Sequence, residues 1–326
     1  MMRRFKVVIS DRDYPDLSIE ESILESIGAE VVDAQCKSGG KALLKYITDA
    51  DAILQQYAEI RQDVIKKLCR CKIIARYGTG VDILDVETCR KRGIIVTNVP
   101  YYCIDEVADH AIALALTLAR RIPMYVDSTR CGKWHWLNSG APIHRFEMQI
   151  FGIIGFGKIG RNIARKARAL KFTVMAYDPN VDNFFMKEEG VKKVDFGAIL
   201  DNSDILCVQV PLSSDTRHLI GELELKKMKK NAILINTARG PIVDNKALYK
   251  ALSEGKITAA GLDDIEDEPA KQKHWNYRAN PLLKLKNCLI TPHSAYYSEE
   301  SITEARRTAA EEVKAVLLGK KPRYAL

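Results

Sequence analysis

Three polar residues stand at the ends of short apolar runs in the second half of the chain: Arg239 in INTARG, Glu268 in GLDDIEDEP and His293 in ITPHSA. Moving a hydride off an alcohol carbon needs a base for the hydroxyl proton, and an imidazole titrates in the right range. A carboxylate beside it favours the imidazolium and fixes its tautomer, while a guanidinium holds an α-carboxylate and polarises the adjacent carbonyl. Taken singly, each also reads as an arginine in a tight turn, an acid in an acidic loop, or a histidine capping a strand. Together they supply the parts for hydride transfer between a hydroxyl-bearing carbon and a nicotinamide.

A second motif lies upstream. IFGIIGFGKIGRNIARKARAL puts Gly155, Gly157 and Gly160 at G-x-G-x-x-G spacing, after an apolar strand and at the start of a helix. The first glycine permits a tight turn, the second lets backbone approach a pyrophosphate, and the third lets helix and strand pack closely. The helix start then aims unpaired N–H groups at the phosphates. An ordinary turn before a helix would also use glycines, but the next run, TVMAYDP, ends in Asp178, 18 residues after Gly160. That is close to the ~20 residues expected for an acid that hydrogen-bonds an adenosine ribose. A carboxylate there repels the extra phosphate of NADP, and Pro179, Asn180 and Val181 bring no arginine to offset it. NAD is the expected cofactor.

Such residues must be positioned by strands whose ends converge. KVVIS, EVVDA, DAILQ, KIIARY and GIIVTN punctuate the first hundred residues, with amphipathic segments such as LSIEESILESIG between them. From Gln149 a second series follows: QIFGII, TVMAYD, ILCVQV, AILINT, ITAAGLD and CLITPH. Strands alternating with helices predict βαβ units and parallel sheets. The expected fold is α/β, with two doubly wound parallel-sheet domains: a six-stranded Rossmann dinucleotide-binding domain and a smaller flavodoxin-like substrate domain, with a cleft between them. IDEVADHAIALALTLARR reads as a long buried helix linking the two series. A final helix, roughly Glu299 to Leu317, is expected to return to the first domain. The boundaries are then 1–100 plus 297–326 for the substrate domain and 101–296 for the NAD-binding domain.

Composition agrees with this and removes other classes. A chain of 326 residues with 47% hydrophobic and 28% charged residues suits two ordinary globular domains. Its longest apolar stretch, Ala111 to Ala119, is far short of the ~20 residues of a membrane helix. FKVVIS runs straight into acidic DRDYPD, which leaves no secretory segment, so a cytoplasmic location is expected. Eight cysteines show neither a CxxC pair nor histidines at metal-ligand spacing, so they read as reduced thiols with no metal site. The net charge of +8 comes from basic residues mixed with acids, with only KKMKK and KKPR as short clusters. No nucleic-acid-binding motif accompanies it, though it would attract an anionic cofactor and substrate.

Along essentially its whole length the sequence resembles the D-2-hydroxyacid dehydrogenase family. The matching stretches are RYGTGVD, NVP followed by EVADHAIALALTLAR, GIIGFGKIG, VPLSSDT, NTARGPIVD, GLDDIEDEP and TPHSAYYS. The resemblance implies His293 as acid/base, Glu268 as its partner and Arg239 as substrate anchor. It assigns Gly78, Thr79 and Gly80 to gripping the substrate carboxylate through backbone N–H groups, as small residues allow. It also implies NAD contacts from Lys158, Ile159, Val210, Pro211, Thr216, Thr237, Ala238 and Asp263, from Val107 on the linking helix, and from Arg239 and His293 themselves. The implied reaction interconverts a D-2-hydroxy acid and a small 2-oxo acid, glyoxylate- or hydroxypyruvate-like, in a homodimer. The helix from Val107 to Leu118 suits a dimer contact or burial within one subunit.

Within the family, QQYAEI and TPHSAYYSEES resemble the branch of the C-terminal-binding-protein corepressors. That leaves an alternative, an NAD(H)-sensing binding protein with weak or vestigial activity. Gln55 and Gln56 stand where the family's phosphoglycerate enzymes tend to carry arginine, which disfavours a phosphorylated substrate. Tyr57 either closes a wall of the substrate pocket or packs in the core. AKQKHWNYRANPLL, after Pro269, is longer and more aromatic than the family's short loop. His274, Trp275 and Tyr277 there line the pocket mouth or meet a second subunit, and Trp134, His135 and Trp136 admit the same two readings.

Overall fold

The computed structural model describes residues 5–139, 142–269, 272 and 274–326. The chain forms two compact units, one of Met1–Cys103, Ala270–His274 and Tyr297–Leu326, the other of Ile104–Pro269 and Trp275–Tyr296.

The first unit holds a five-stranded parallel sheet of β1 (Lys6–Ile9), β2 (Glu30–Asp33), β3 (Ala52–Gln55), β4 (Ile73–Arg76) and β5 (Ile95–Thr97). Their order is β2-β1-β3-β4-β5, a doubly wound, flavodoxin-like arrangement. Every residue of β3 and β4 is buried, because helices cover both faces of a parallel sheet; both strands are apolar except at their last positions, where Gln55 and Arg76 lie in register. The helix Glu299–Leu317 lies against β3, β4 and the helix Ser18–Glu25. Ser298 starts it, accepting the Ser301 N–H at 2.9 Å. Midway along, the buried Arg306 donates from Nε to Glu20 Oε1 at 3.0 Å and from Nη2 to Oε2 at 2.7 Å. Nη2 also reaches Asp16 Oδ1 at 3.1 Å.

The second unit holds a seven-stranded parallel sheet: β6 (Ile150–Ile154), β7 (Thr173–Tyr177), β8 (Lys192–Lys193), β9 (Ile205–Val208), β10 (Ile233–Asn236), β11 (Ala259–Leu262) and β12 (Cys288–Ile290). The order β12-β11-β10-β9-β6-β7-β8 contains the six expected strands and corrects their number. The additional strand is the two-residue β8, paired with β7 at Met175↔Lys192 and Ala176↔Lys193. Two lysines at a sheet edge have no apolar periodicity to reveal them.

The helix Ile104–Ala119 buries Ala108, Ala111, Ala115 and Leu118 against Phe151, Ile153 and Ile235 of this sheet. The apolar face of that helix is buried within its own unit. Leu225, Leu248 and Leu252 cover the opposite face over Leu206, Leu234 and Leu262. The strand order reverses between β6 and β9, so the connections diverge at their carboxyl ends and leave the crevice in which open α/β sheets bind ligands. Among the described residues no helix is long and apolar enough to cross a membrane.

Candidate active site

The glycine turn joins β6 to the helix Lys158–Ala169. Gly155 has φ +95°, and a Cβ there would meet the Gln209 carbonyl, so only glycine turns the chain at this point. A Cβ at Gly160 would collide with the Gly155 carbonyl, which explains how closely helix and strand approach. Gly157, Lys158 and Ile159 open the helix, with Gly157 and Lys158 exposed. Asp178, at the end of β7, accepts the Phe156 N–H at 2.8 Å through Oδ2 and the Asn180 N–H at 2.9 Å through Oδ1. A cavity of about 590 Å³ opens beside it, lined by Tyr177, Asp178, Asn183, Lys193 and Ala198. An exposed helix start next to a carboxylate-lined cavity fits the pyrophosphate and adenosine ribose of a dinucleotide.

After β9, Val210 and Pro211 lead into a closed loop: Thr216 Oγ1 donates to the Pro211 carbonyl at 2.6 Å and accepts the Ser213 N–H at 2.8 Å. Thr237 is buried after β10 and accepts a hydrogen bond from Gln209 Nε2. Ala238 and Arg239 follow, half-buried, and Asn236 fixes them by accepting the Ala238 N–H at 3.0 Å and donating to the Arg239 carbonyl at 2.9 Å. Val107 is buried on the helix Ile104–Ala119.

The three residues singled out for chemistry all act on one buried side chain. Asp264, just past β11, has its carboxyl within electrostatic reach of Arg239 and Glu268. Its Oδ2 lies 3.5 Å from His293 Nδ1. Burial pushes this carboxyl up to about 7; Arg239 pulls it down and Glu268 pushes it further up. Glu268 and His293 both hold left-handed backbone, φ +44° and +55°, which non-glycine residues adopt at a cost that the surrounding structure must offset. The His293 ring also meets Tyr296 edge-on at 6.0 Å.

Asp263 secures the turn that carries His293. Its carbonyl accepts the His293 N–H at 2.6 Å. Its carboxylate accepts the Thr291 hydroxyl at 2.6 Å and the Ser294 and Ala295 N–H groups at 2.9 and 2.8 Å. His110 Nε2 reaches the same threonine oxygen at 2.9 Å, tying the turn to the helix Ile104–Ala119. Sequence reasoning passed over Asp264 and His110. The available signal for Asp264 was its place directly after Asp263 at a strand end, where successive side chains point opposite ways.

The substrate-grip residues lie in the first unit. Gly78, φ +148°, follows β4, and its carbonyl accepts the Val99 N–H at 3.0 Å. Thr79 Oγ1 donates to the Val99 carbonyl at 3.0 Å, and Asn98 Nδ2 donates to the Thr79 carbonyl at 2.7 Å. These bonds fix the loop, with Thr79 exposed and Gly80 half-buried. Tyr57 is buried, its N–H donating to Asp11 Oδ2 at 2.6 Å. Gln55 Nε2 donates to the Ala58 carbonyl at 2.6 Å, and Gln56 Oε1 accepts the Asp13 N–H at 2.8 Å.

Of the aromatic segments, Trp134 and Trp136 are exposed and His135 stacks on Trp136 at 5.7 Å. Trp275 packs against the core of the second unit, whereas His274 and Tyr277 face solvent. Of the rest of that loop, Ala270, Lys271 and Lys273 lie outside the described residues.

Residues 112–295 match the family model for "D-isomer specific 2-hydroxyacid dehydrogenase, NAD binding domain". The chain is 37% identical over 318 residues to the D-3-phosphoglycerate dehydrogenase of Methanocaldococcus jannaschii, covering 96% of this chain but only 58% of that protein's length. It is 35% identical over 318 residues to the glyoxylate reductase of Korarchaeum cryptofilum, covering 97% of this chain and 94% of that one. Among solved structures, the D-lactate dehydrogenase of Aquifex aeolicus, complexed with NAD and lactic acid, matches with a TM-score of 0.87 at 29% identity over 96% of each chain. The chain belongs to the D-isomer specific 2-hydroxyacid dehydrogenase family of NAD-linked oxidoreductases.

Proposed function

We propose that this protein interconverts a small, unphosphorylated 2-oxo acid and its D-2-hydroxy acid with NAD(H), in the cytoplasm and as a homodimer. The reading is supported by Asp264, a buried carboxyl at the carboxyl edge of a dinucleotide-type sheet, which stands 3.5 Å from His293 and is acted on by the charges of Arg239 and Glu268. NAD(H) supplies or accepts the hydride. The glycine turn and helix start bind the pyrophosphate, and Asp178 takes the adenosine ribose. Arg239 holds the substrate carboxylate and polarises the carbonyl, and His293, supported by Glu268, gives a proton to the carbonyl oxygen or removes it from the hydroxyl. The Gly78–Thr79–Gly80 loop offers backbone donors to a carboxylate.

The buried Gln55 and Gln56, bonded to their own backbone surroundings, bring no cation for a phosphate and so support an unphosphorylated substrate. All eight cysteines are free, as in a reducing compartment. Ile122, Trp134, Trp136, Leu137 and Met148 are all exposed within residues 122–148, a density of apolar side chains that supports a second copy as partner. Light scattering at twice the chain mass is expected.

The test is loss of NADH absorbance with glyoxylate, hydroxypyruvate, pyruvate, branched and aromatic 2-oxo acids, and a phosphorylated 2-oxo acid. Turnover of one or more of the first three, and little of the phosphorylated one, is expected. Silence across the panel with NADH still bound would favour the corepressor-like alternative.

A further inference from the structure

The carboxyl of Asp264 is held in place by backbone. Oδ1 accepts the Ile265 N–H at 2.9 Å, and the Gly240 N–H donates to the same carboxyl. Oδ2 faces His293 Nδ1 at 3.5 Å, with the aspartate side chain 5% and the histidine 20% exposed. That separation is slightly longer than a hydrogen bond, as catalytic contacts often are before substrate binds. The neighbouring Asp263 carboxylate is taken up by Thr291, Ser294 and Ala295. Of the adjacent acids, one fastens the turn and the other addresses the ring.

We propose that Asp264 is a positioning residue for His293, acting alongside Glu268: its carboxyl takes the Nδ1 side of the imidazole, Glu268 adds negative charge to the same cluster, and Nε2 exchanges a proton with the substrate oxygen. The proposal rests on the oxidoreductase reading above. An acceptor at Nδ1 selects the tautomer with hydrogen on that nitrogen and stabilises the imidazolium needed before a 2-oxo acid is reduced. The charged groups facing the pair are Arg239 from the end of β10, Glu268 from the same loop, and Asp263 with His110 beneath the turn. Burial pushes the Asp264 carboxyl up to about 7.

The test is the pH profile of kcat/KM for 2-oxo-acid reduction in Asp264→Asn. With the negative partner gone the imidazolium is less stable, so the alkaline fall in rate should move to lower pH by roughly 1–3 units. Above that limb each unit removes about tenfold in rate. NADH affinity, read by fluorescence, should stay as in wild type. An unshifted limb in a folded variant, or a change confined to KM for the oxo acid, overturns the proposal. If the variant does not fold, the ring nitrogens of His293 are titrated by NMR in the ¹⁵N-histidine-labelled wild-type chain. A second inflection near neutrality, from the adjoining carboxyl, supports the pairing, and a single inflection overturns it. Because this readout needs no turnover, failure of the oxidoreductase reading and failure of the pairing are separable.

Discussion

Each unit buries a cluster of opposite charges, and the two clusters are built differently. In the first unit Arg306 meets Glu20 through two short hydrogen bonds between regular helices, with the arginine 5% and the glutamate 0% exposed. In the second, Asp264 faces His293 at 3.5 Å, two of the surrounding residues are left-handed, and burial pushes the carboxyl up to about 7. The first pair is closed: its charges satisfy each other and hold a helix in place. The second is longer: acid and ring stand 3.5 Å apart, and burial pushes the carboxyl up to about 7. A tightly bonded buried ion pair between helices serves structure, and a longer one on strained backbone is equipped to move a proton.

The contrast breaks most sharply at His293. His293→Ala should lower turnover by ~10²–10⁴-fold while NADH affinity and melting temperature stay near wild type. Turnover close to wild type would remove the acid/base assignment. Arg306→Met should do the reverse, since leaving Glu20 buried without its partner costs about 3–5 kcal/mol, visible as a lower urea midpoint. Turnover per folded molecule should be unchanged; loss of activity at full stability would mean the pair is not structural.

Asp263 lies between these extremes. Asp263→Ala strands the Ser294 and Ala295 N–H groups and should cost about 1–3 kcal/mol of stability, together with a fall in kcat as the His293 turn loosens. Unaltered stability would show that the carboxylate does not hold that turn. The smallest effect is expected at Asp178. Asp178→Ala should reduce the NADH-over-NADPH preference about tenfold, equivalent to ~1.4 kcal/mol, in kcat/KM ratios. An unchanged ratio would place cofactor choice elsewhere.

The sequence carried the parts of this site that depend on local pattern. Runs such as KIIARY and AILINT are apolar because interior parallel strands are buried on both faces, so they could be read directly as β4 and β10. The glycine spacing was legible because each glycine answers a separate steric demand, seen at Gly155 and Gly160. β8 was not, since a two-residue polar edge strand leaves no periodic signal. Asp264 was hidden for another reason. In the acidic run DDIEDE the strand end sets the Asp263 and Asp264 side chains on opposite sides, but which partners each meets depends on Arg239 and His293, which are distant in the chain. Similarly, Trp275 could be assigned to the core only once Leu282 and Leu285 were seen packed in the same cluster.

The most direct measurement follows one hydrogen. The chain is given NADH carrying deuterium at the transferring position of the nicotinamide, with hydroxypyruvate or pyruvate, and the product is analysed by mass and chirality. Deuterium is expected on the α-carbon of a D-configured 2-hydroxy acid, formed by wild type and almost not at all by His293→Ala. A product of L configuration, a product without the label, or no product from any 2-oxo acid would contradict it.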